Sequence, residues 1–214
     1  MDVGVDEAAA RLGVSPRRVR SLINVGRIPA RQVSGRWVID EARIPRSAAV
    51  ARPMSPRVAW ALVSILSGRA PEGLSQPERS RLLARYRQML SAQDRAAVLR
   101  SWLPKRAWLV CVNIAPGDMA DLLADPRLAP SGISDARSGL SSAGEAEAYL
   151  SANDLDRVVA EHLLSEVGPP NVWLHVADRD IPKLVPLGLV IADLADHDGP
   201  REDAQVEELL GARS

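Results

Sequence analysis

Arginines crowd a short stretch near the start of the chain, and their spacing suits contact with nucleic acid. Arg17, Arg18 and Arg20 lie in the run PRRVRSLIN, which also holds Ser21 and Asn24. On a helix, Arg17, Ser21 and Asn24 would share one side, and the other two arginines would flank it. Arginine pairs with guanine edges and phosphates, and asparagine pairs with adenine. The run therefore predicts a helix that offers base-reading and phosphate-binding groups.

Two helices joined by a tight turn are predicted to position these side chains. The first helix has apolar residues at helical spacing, namely Val5, Ala8, Ala9 and Leu12. Gly13 ends it, and Ser15 followed by Pro16 starts a second helix at once. The second helix is predicted to bury the side opposite its arginines, formed by Val19, Leu22 and Ile23. Gly26 is placed to end it.

A short β-hairpin is predicted to follow the helices. Residues 30–33 and 36–39 are β-prone and are separated by Ser34-Gly35, a two-residue hairpin signal. Arg31 precedes the turn and Arg36 follows it, so both are predicted to contact phosphates, as is Ser15 at the start of the second helix. Trp37 is expected to pack on the core.

The segment from Val5 to Ile44 resembles the winged helix-turn-helix domains of the excisionase and MerR families. It carries their EAA-x-x-L-G-V-S-x-x-x-V-R-x-L-I pattern, then G-x-I-P-A and a G-R-W wing. The resemblance implies double-stranded DNA as a partner. Bases would be read by Arg17, Ser21 and Asn24, with help from Arg18 and Arg20.

Charge divides the chain into unlike halves although the formal net charge is zero. Residues 1–110 contain 20 Lys and Arg against 8 Asp and Glu, whereas residues 111–214 contain 7 against 19. The basic half can neutralise phosphates, and the acidic half would repel DNA. Either the acidic half suits a basic partner protein, or its acids merely solvate the surface.

The remaining chain is predicted to complete an α+β protein with four parts. These are a winged helix-turn-helix domain (1–46), a Pro-rich linker (47–57), a basic helical segment (58–106) and an acidic α/β domain (107–214). Helices are predicted at 55–67, 78–90, 94–103, 118–123, 154–167 and 202–210. Strands are predicted at 108–114, 148–150, 172–176 and 187–191.

Three segments beyond the wing resemble the antitoxins of abortive-infection (type IV) toxin–antitoxin systems: residues 55–68, 131–134 and 189–203. Those antitoxins join an N-terminal winged helix-turn-helix to a C-terminal α/β domain and are encoded beside a nucleotidyltransferase toxin. The resemblance implies an autoregulating repressor that antagonises a protein toxin.

Two alternatives stay open beside the antitoxin. One is a stand-alone regulator or excision factor whose C-terminal domain senses a ligand or forms a dimer. The other is an adaptor that binds DNA without sequence preference. A homodimer on an inverted repeat is expected in the regulator interpretations.

Catalytic signatures are absent from the sequence, so we expect no enzyme, cofactor or metal. Walker A, GxGxxG and GxSxG patterns do not occur. Asp178 and Asp180 have DxD spacing without an upstream Gly-Ser motif and are predicted to be turn residues. A further acidic cluster is interpreted as a solvated loop, comprising Asp193, Asp196, His197 and Asp198. Cys111, in an apolar strand, is expected to be a buried thiol.

Because neither a transmembrane run nor a secretion signal is found, a cytoplasmic protein is expected.

Overall fold

The computed structural model describes residues 2–12, 16–24, 28, 30–33, 36–40, 53–141 and 144–212. The chain divides into two compact units: the N-terminal unit, residues 1–51, and the C-terminal unit, residues 52–214. Both units combine helices with a sheet, which confirms the predicted α+β class. Among the helices in these ranges, none is long and apolar enough to cross a membrane.

The N-terminal unit packs two helices on a small antiparallel sheet. The helices are α1 (Val5–Leu12) and α2 (Pro16–Asn24), and the strands are β1 (Asp2–Val3), β2 (Ala30–Val33) and β3 (Arg36–Asp40). β3 lies between β1 and β2. The helices and the hairpin follow the predicted order, whereas β1 was not predicted. The core consists of Val3, Val5, Ala8, Ala9, Val19, Ile23, Ile28 and Ile39.

Three helices open the C-terminal unit at the predicted places: α3 (Pro56–Leu66), α4 (Gln76–Leu90) and α5 (Arg95–Trp102). Each start has a local cause in the sequence. Pro56 and Pro77 lie in the first turns of α3 and α4, where a missing N–H costs nothing. Ser75 and Glu78 form a capping box on α4, and the Asp94 carboxylate accepts a hydrogen bond from the Ala97 N–H at 2.8 Å.

A four-stranded sheet with four further helices completes the C-terminal unit. The strands are β4 (Trp108–Val112), β5 (Ala129–Pro130), β6 (Ala146–Ser151) and β7 (Val172–Ala177), in the order β4-β7-β6-β5. Only β6 and β7 run parallel. The helices are α6 (Met119–Leu123), α7 (Leu155–Glu161), α8 (Leu187–Asp196) and α9 (Pro200–Gly211).

The two faces of this sheet differ in chemistry because side chains alternate along β6 and β7. One face is apolar and shares a core with α6 and α7, made by Ala146, Ala148, Leu150, Val172, Leu174 and Val176. The alternate residues of the same strands include Glu147, Tyr149 and His175. Tyr149 and His175 contact Asp193 of α8, and Glu147 bonds to His175. Strands β6 and β7 therefore have an apolar face and a polar face, and the side chains named on both faces are buried.

The strand predicted at residues 187–191 is wrong, because these residues form the first half of α8. The run is apolar on all sides, so it shows no periodicity that separates a buried helix from a buried strand. α8 is covered by α3, α5 and α9, and all residues from Gly188 to Ala195 are buried. At Gly188, a Cβ atom would collide with the Val63 carbonyl oxygen of α3, so glycine permits this close approach.

Two smaller expectations also fail. Cys111 is exposed rather than buried, because β4 is an end strand of the sheet. The helix predicted at 154–167 ends earlier, at Glu161, and Leu163 follows in the left-handed region with φ 52°.

Candidate DNA-binding surface and buried polar network

Helix α2 is amphipathic, and the residues that the structure describes on its buried and exposed sides are those that the sequence predicts. Val19 and Ile23, four residues apart, are buried in the core of the N-terminal unit. Arg17 and Arg20 are exposed. The first turn of α2 contains no acid, so no carboxylate in this turn offsets the positive end of the helix dipole. The helix therefore exposes two cations while Val19 and Ile23 are buried on its other side.

The other predicted contact residues are placed only in part. Arg31 is exposed on β2. Arg18, Ser21 and Asn24 belong to α2 and Arg36 belongs to β3, but their side chains lie outside the described part of the structure. Ser15 also lies outside the described residues. Trp37 is half-buried against the core, as expected.

The C-terminal unit contains a buried ionic network that the sequence patterns did not indicate. The guanidinium of Arg106 is almost fully buried and donates to Asp193 Oδ1 from Nη2 at 2.6 Å and from Nε at 3.0 Å. Its Nη2 also donates to Asp196 at 2.7 Å. Asp193 accepts two further bonds, from the Tyr149 hydroxyl at 2.8 Å and from the Ser131 hydroxyl. The network thereby ties α8 to the sheet.

Glu147 forms the second half of this buried polar network. Its carboxylate lies 2.7 Å from His175 Nε2 and 2.9 Å from His197 Nε2, and it accepts the Ile133 N–H at 3.1 Å. The His175 ring stacks on Tyr149 with 4.8 Å between centroids. Both carboxylates are therefore satisfied by several donors, as buried charges require.

The pKa values in this network follow from burial and from the partners. Burial raises the pKa of Asp193. Burial also acts to raise the pKa of Glu147, but hydrogen bonds from His175 and His197 outweigh it, and the pKa falls below its usual range. For His197, burial is the largest single effect and acts to lower the pKa, but the hydrogen bond to Glu147 and the negative charges of Glu147, Glu202 and Asp196 together raise it.

The raised pKa of His197 predicts that the C-terminal unit loses stability in alkali. A histidine whose folded pKa is raised adds stability that is present below its unfolded pKa and lost as pH rises through the folded value. We expect the free energy of unfolding to fall as the pH rises above about 6.5, the ordinary pKa of histidine, and to fall less in His197→Gln. Urea titrations followed by tryptophan fluorescence measure this, because four of the five tryptophans lie in this unit. Equal pH dependence in both proteins would contradict the assignment.

In the described part of the chain, one group of side chains is spaced closely enough to hold a metal ion: Glu147, His175 and Asp193. Their ligand atoms lie within 4.8 Å of one another. However, Asp193 is already bonded to the Arg106 guanidinium, and that positive charge opposes a cation at the same oxygen. The geometry fits a hydrogen-bonded network better than a metal site. The expectation of a chain without metal or cofactor stays a prediction.

The predicted solvated acidic loop at residues 193–198 is wrong. Because α8 extends through Asp196, Asp193 points into the core and Asp196 pairs with Arg106. His197 caps the helix and bonds to Glu147. Asp198 pairs with Arg100 at 2.8 Å. By contrast, Asp178 and Asp180 are exposed after β7, as predicted for turn residues.

Ion pairs inside the C-terminal unit join the basic half of the chain to the acidic half. Arg95 of α5 lies 3.0 Å from Glu207, and Arg100 lies 2.9 Å from Asp203. Part of the acidic charge is therefore used to hold α9 against α5. Other acids of the second half are exposed, including Asp118, Asp121, Asp156, Asp178, Asp180 and Glu208.

Comparison with known proteins identifies only the N-terminal part of the chain. A family model described as a helix-turn-helix domain matches residues 3–45. No curated protein and no solved structure matches the chain significantly. The match spans α1, α2 and the hairpin, and includes none of the C-terminal unit. The N-terminal unit is thus similar to helix-turn-helix domains, a type of domain that binds DNA.

Proposed function

We propose that this chain is a sequence-specific DNA-binding transcriptional regulator that places α2 in the major groove. The observation that carries the proposal is α2 itself: the helix-turn-helix match coincides with a helix whose Val19 and Ile23 are buried and whose Arg17 and Arg20 are exposed. A helix fits the major groove, where base pairs present distinct donors and acceptors. The proposed function requires no catalytic group.

Side-chain roles follow from their positions on this domain. Arg17, Ser21 and Asn24 are proposed to read bases, with Arg18 and Arg20 at their flanks. A second set is proposed to hold the phosphate backbone, comprising Ser15, Arg31 and Arg36. Phosphate contacts fix the register of a protein on the duplex, and base contacts provide specificity.

Replacing Arg17 and Arg20 together by alanine is expected to weaken specific binding by at least about 30-fold, since the loss of the Arg17 base contact and of the flanking Arg20 contact, at about 1–3 kcal/mol each, costs at least about 2 kcal/mol. The measurement is fluorescence anisotropy on a duplex selected from random sequence. Arg69→Ala, which removes an exposed arginine of the C-terminal unit, is the matched control and should bind as the wild type does. Undiminished affinity in the double variant, with a circular dichroism spectrum of the native form, would contradict the proposal.

Replacing Arg36 by alanine is expected to weaken binding to all sequences about equally and to lower the salt slope by roughly one. The reason is that a phosphate contact releases counterions but reads no base. Anisotropy titrations over a range of salt concentrations, on selected and random duplexes, test this. A change confined to the selected duplex would assign Arg36 to base reading instead.

Within this function, we propose an autoregulating antitoxin that acts as a homodimer on an inverted repeat. Its support is the resemblance of residues 55–68, 131–134 and 189–203 to such antitoxins, together with the exposed acids of the C-terminal unit. An acidic surface suits a basic, nucleic-acid-binding toxin. Co-expression with the neighbouring gene tests this role: rescue from a toxic nucleotidyltransferase supports it, whereas a neighbouring integrase favours an excision factor.

A further inference from the structure

Helix α4 carries four arginines that form no ion pair with any residue that the structure describes. The four are Arg79, Arg81, Arg85 and Arg87. The one acid of this helix, Glu78, is paired with Arg57 of α3. By contrast, both arginines of the neighbouring helix α5 are paired with acids from the second half of the chain. The fold therefore supplies counter-charges to α5 but not to the arginines of α4.

Two of the four arginines take part in packing, and two are exposed. The Arg85 guanidinium lies 4.4 Å from the centre of the Trp102 ring, and Arg79 is half-buried and donates to a backbone carbonyl oxygen. Arg81 and Arg87 are exposed. Arg81 and Arg85 are also four residues apart, a spacing at which like charges destabilise a helix. A helix that keeps this repulsion without an acidic partner suits an anion outside the fold.

The exposed side of α4 forms one continuous surface. Ser80, Ala84 and Gln88 are exposed and follow one another at four-residue spacing, so they lie along one line of the helix. Arg81 and Arg87 lie three residues before and after Ala84. Helix geometry places them about 60° to either side of Ala84 around the axis and about 9 Å apart along it. We call these five residues the α4 basic face; it holds two cations, two hydrogen-bonding side chains and no acid.

We propose that the α4 basic face binds the phosphate backbone of double-stranded DNA without reading its sequence. Arginine guanidinium groups bind phosphate oxygens in pairs of hydrogen bonds, and serine and glutamine side chains donate to the same oxygens. A membrane surface would require large apolar side chains beside the cations, and the α4 basic face has none. The proposal rests on the proposed function for the identity of the polyanion, because a DNA-binding domain in the same chain brings a duplex to this surface.

The charges around α4 favour an anionic partner on this part of the C-terminal unit. Residues 53–110 contain ten Lys and Arg against three Asp and Glu. Of the three acids, Glu78 is paired and Asp94 caps α5, which leaves Glu72, exposed in the loop before α4. The exposed acids of residues 111–214 repel phosphate, so contact of this unit with DNA is confined to its basic helices.

Anisotropy titrations of the full chain on a random-sequence duplex, repeated over a range of salt concentrations, test the proposal. The variant with both Arg81→Gln and Arg87→Gln is expected to lower the slope of log affinity against log salt by about 1.8, since each neutralised phosphate contributes about 0.9. Affinity for the selected duplex should fall by the same factor, because a phosphate contact reads no base.

Two further variants separate phosphate contact from net charge and from packing. Arg157→Gln with Arg201→Gln removes the same charge from exposed arginines of α7 and α9 and should keep the wild-type slope. Arg81→Lys with Arg87→Lys keeps both charges on α4 and should also keep the slope, since lysine binds phosphate as a point charge.

Four results would overturn the proposal: a wild-type slope in the α4 glutamine variant; an equal loss of slope in the α7 and α9 variant, which would assign the effect to net charge; a lysine variant that loses as much as the glutamine variant; or a glutamine variant that loses affinity for single-stranded RNA but not for duplex DNA, which would assign the surface to RNA.

The same titrations distinguish failure of this proposal from failure of the proposed function. A wild type that prefers the selected duplex, with a glutamine variant that binds as the wild type does, would refute the role of α4 alone. A wild type without sequence preference whose slope falls in the glutamine variant would refute sequence-specific regulation and support the α4 basic face.

Discussion

Replacing Arg106 by methionine is expected to lower the free energy of unfolding of the C-terminal unit by about 3–5 kcal/mol. The guanidinium is almost fully buried and bonds to Asp193 and Asp196. Methionine fills much of the same volume but leaves the carboxylate of Asp193 in the core without its cation. Removing one partner of a buried ion pair costs far more than the pair contributes. Urea unfolding followed by tryptophan fluorescence measures the loss.

Two further variants make this result specific to the buried charge. Arg57→Met breaks an ion pair with Glu78 whose arginine side chain is 52% exposed, and it should change stability little. Adding Asp193→Asn to Arg106→Met should recover part of the loss, since the unpaired charge is gone. If Arg106→Met lowered the free energy of unfolding as little as Arg57→Met does, the network would not be what holds α8 to the sheet.

Replacing Gly132 by alanine is expected to destabilise the same unit by about 3 kcal/mol, for two reasons that add. Gly132 has φ +49°, a conformation that costs any other residue free energy. Its Cβ would also overlap the Glu147 carboxylate, which is fixed by His175 and His197. The methyl group must therefore displace a buried charge. The measurement is again urea unfolding of the full chain.

Gly139→Ala separates the two causes. Gly139 has φ +65°, and the nearest atom to its Cβ would be 3.7 Å away, at the side chain of Gln205. This variant is destabilised only by the left-handed backbone conformation, which costs about 1 kcal/mol. Equal losses at Gly132 and Gly139 would show that the Glu147 carboxylate moves aside easily, contrary to its place in a rigid network.

Local signals explain which elements could be predicted from the sequence. The starts of α2, α3, α4 and α5 each coincide with a capping residue or a proline, and such signals act within one turn. The hairpin of the N-terminal unit has its own two-residue turn signal. Exposure of Arg17 and Arg20 followed from helical periodicity alone.

Long-range contacts decide the parts that could not be predicted. The first half of α8, residues 187–191, is apolar on all sides, and its helical state depends on burial among α3, α5 and α9. The polar network joins Arg106, Glu147, His175 and Asp193, which no spacing rule connects. One sequence signal could have indicated these network residues, namely a charged or polar residue within an apolar run, as in AEAYL, VWLHVA and LVIADLA. His175 and His197 likewise lie far apart in the sequence and share the Glu147 carboxylate as a partner.

Selection of duplexes from a random-sequence pool by the full chain tests the central claim, that α2 reads bases in the major groove, most directly. The account predicts that repeated rounds enrich one base pattern, and that Arg17→Ala loses the preference at a base pair within it while other positions persist. A pool that stays random after selection at physiological salt, or a pattern unchanged in Arg17→Ala, would contradict the account.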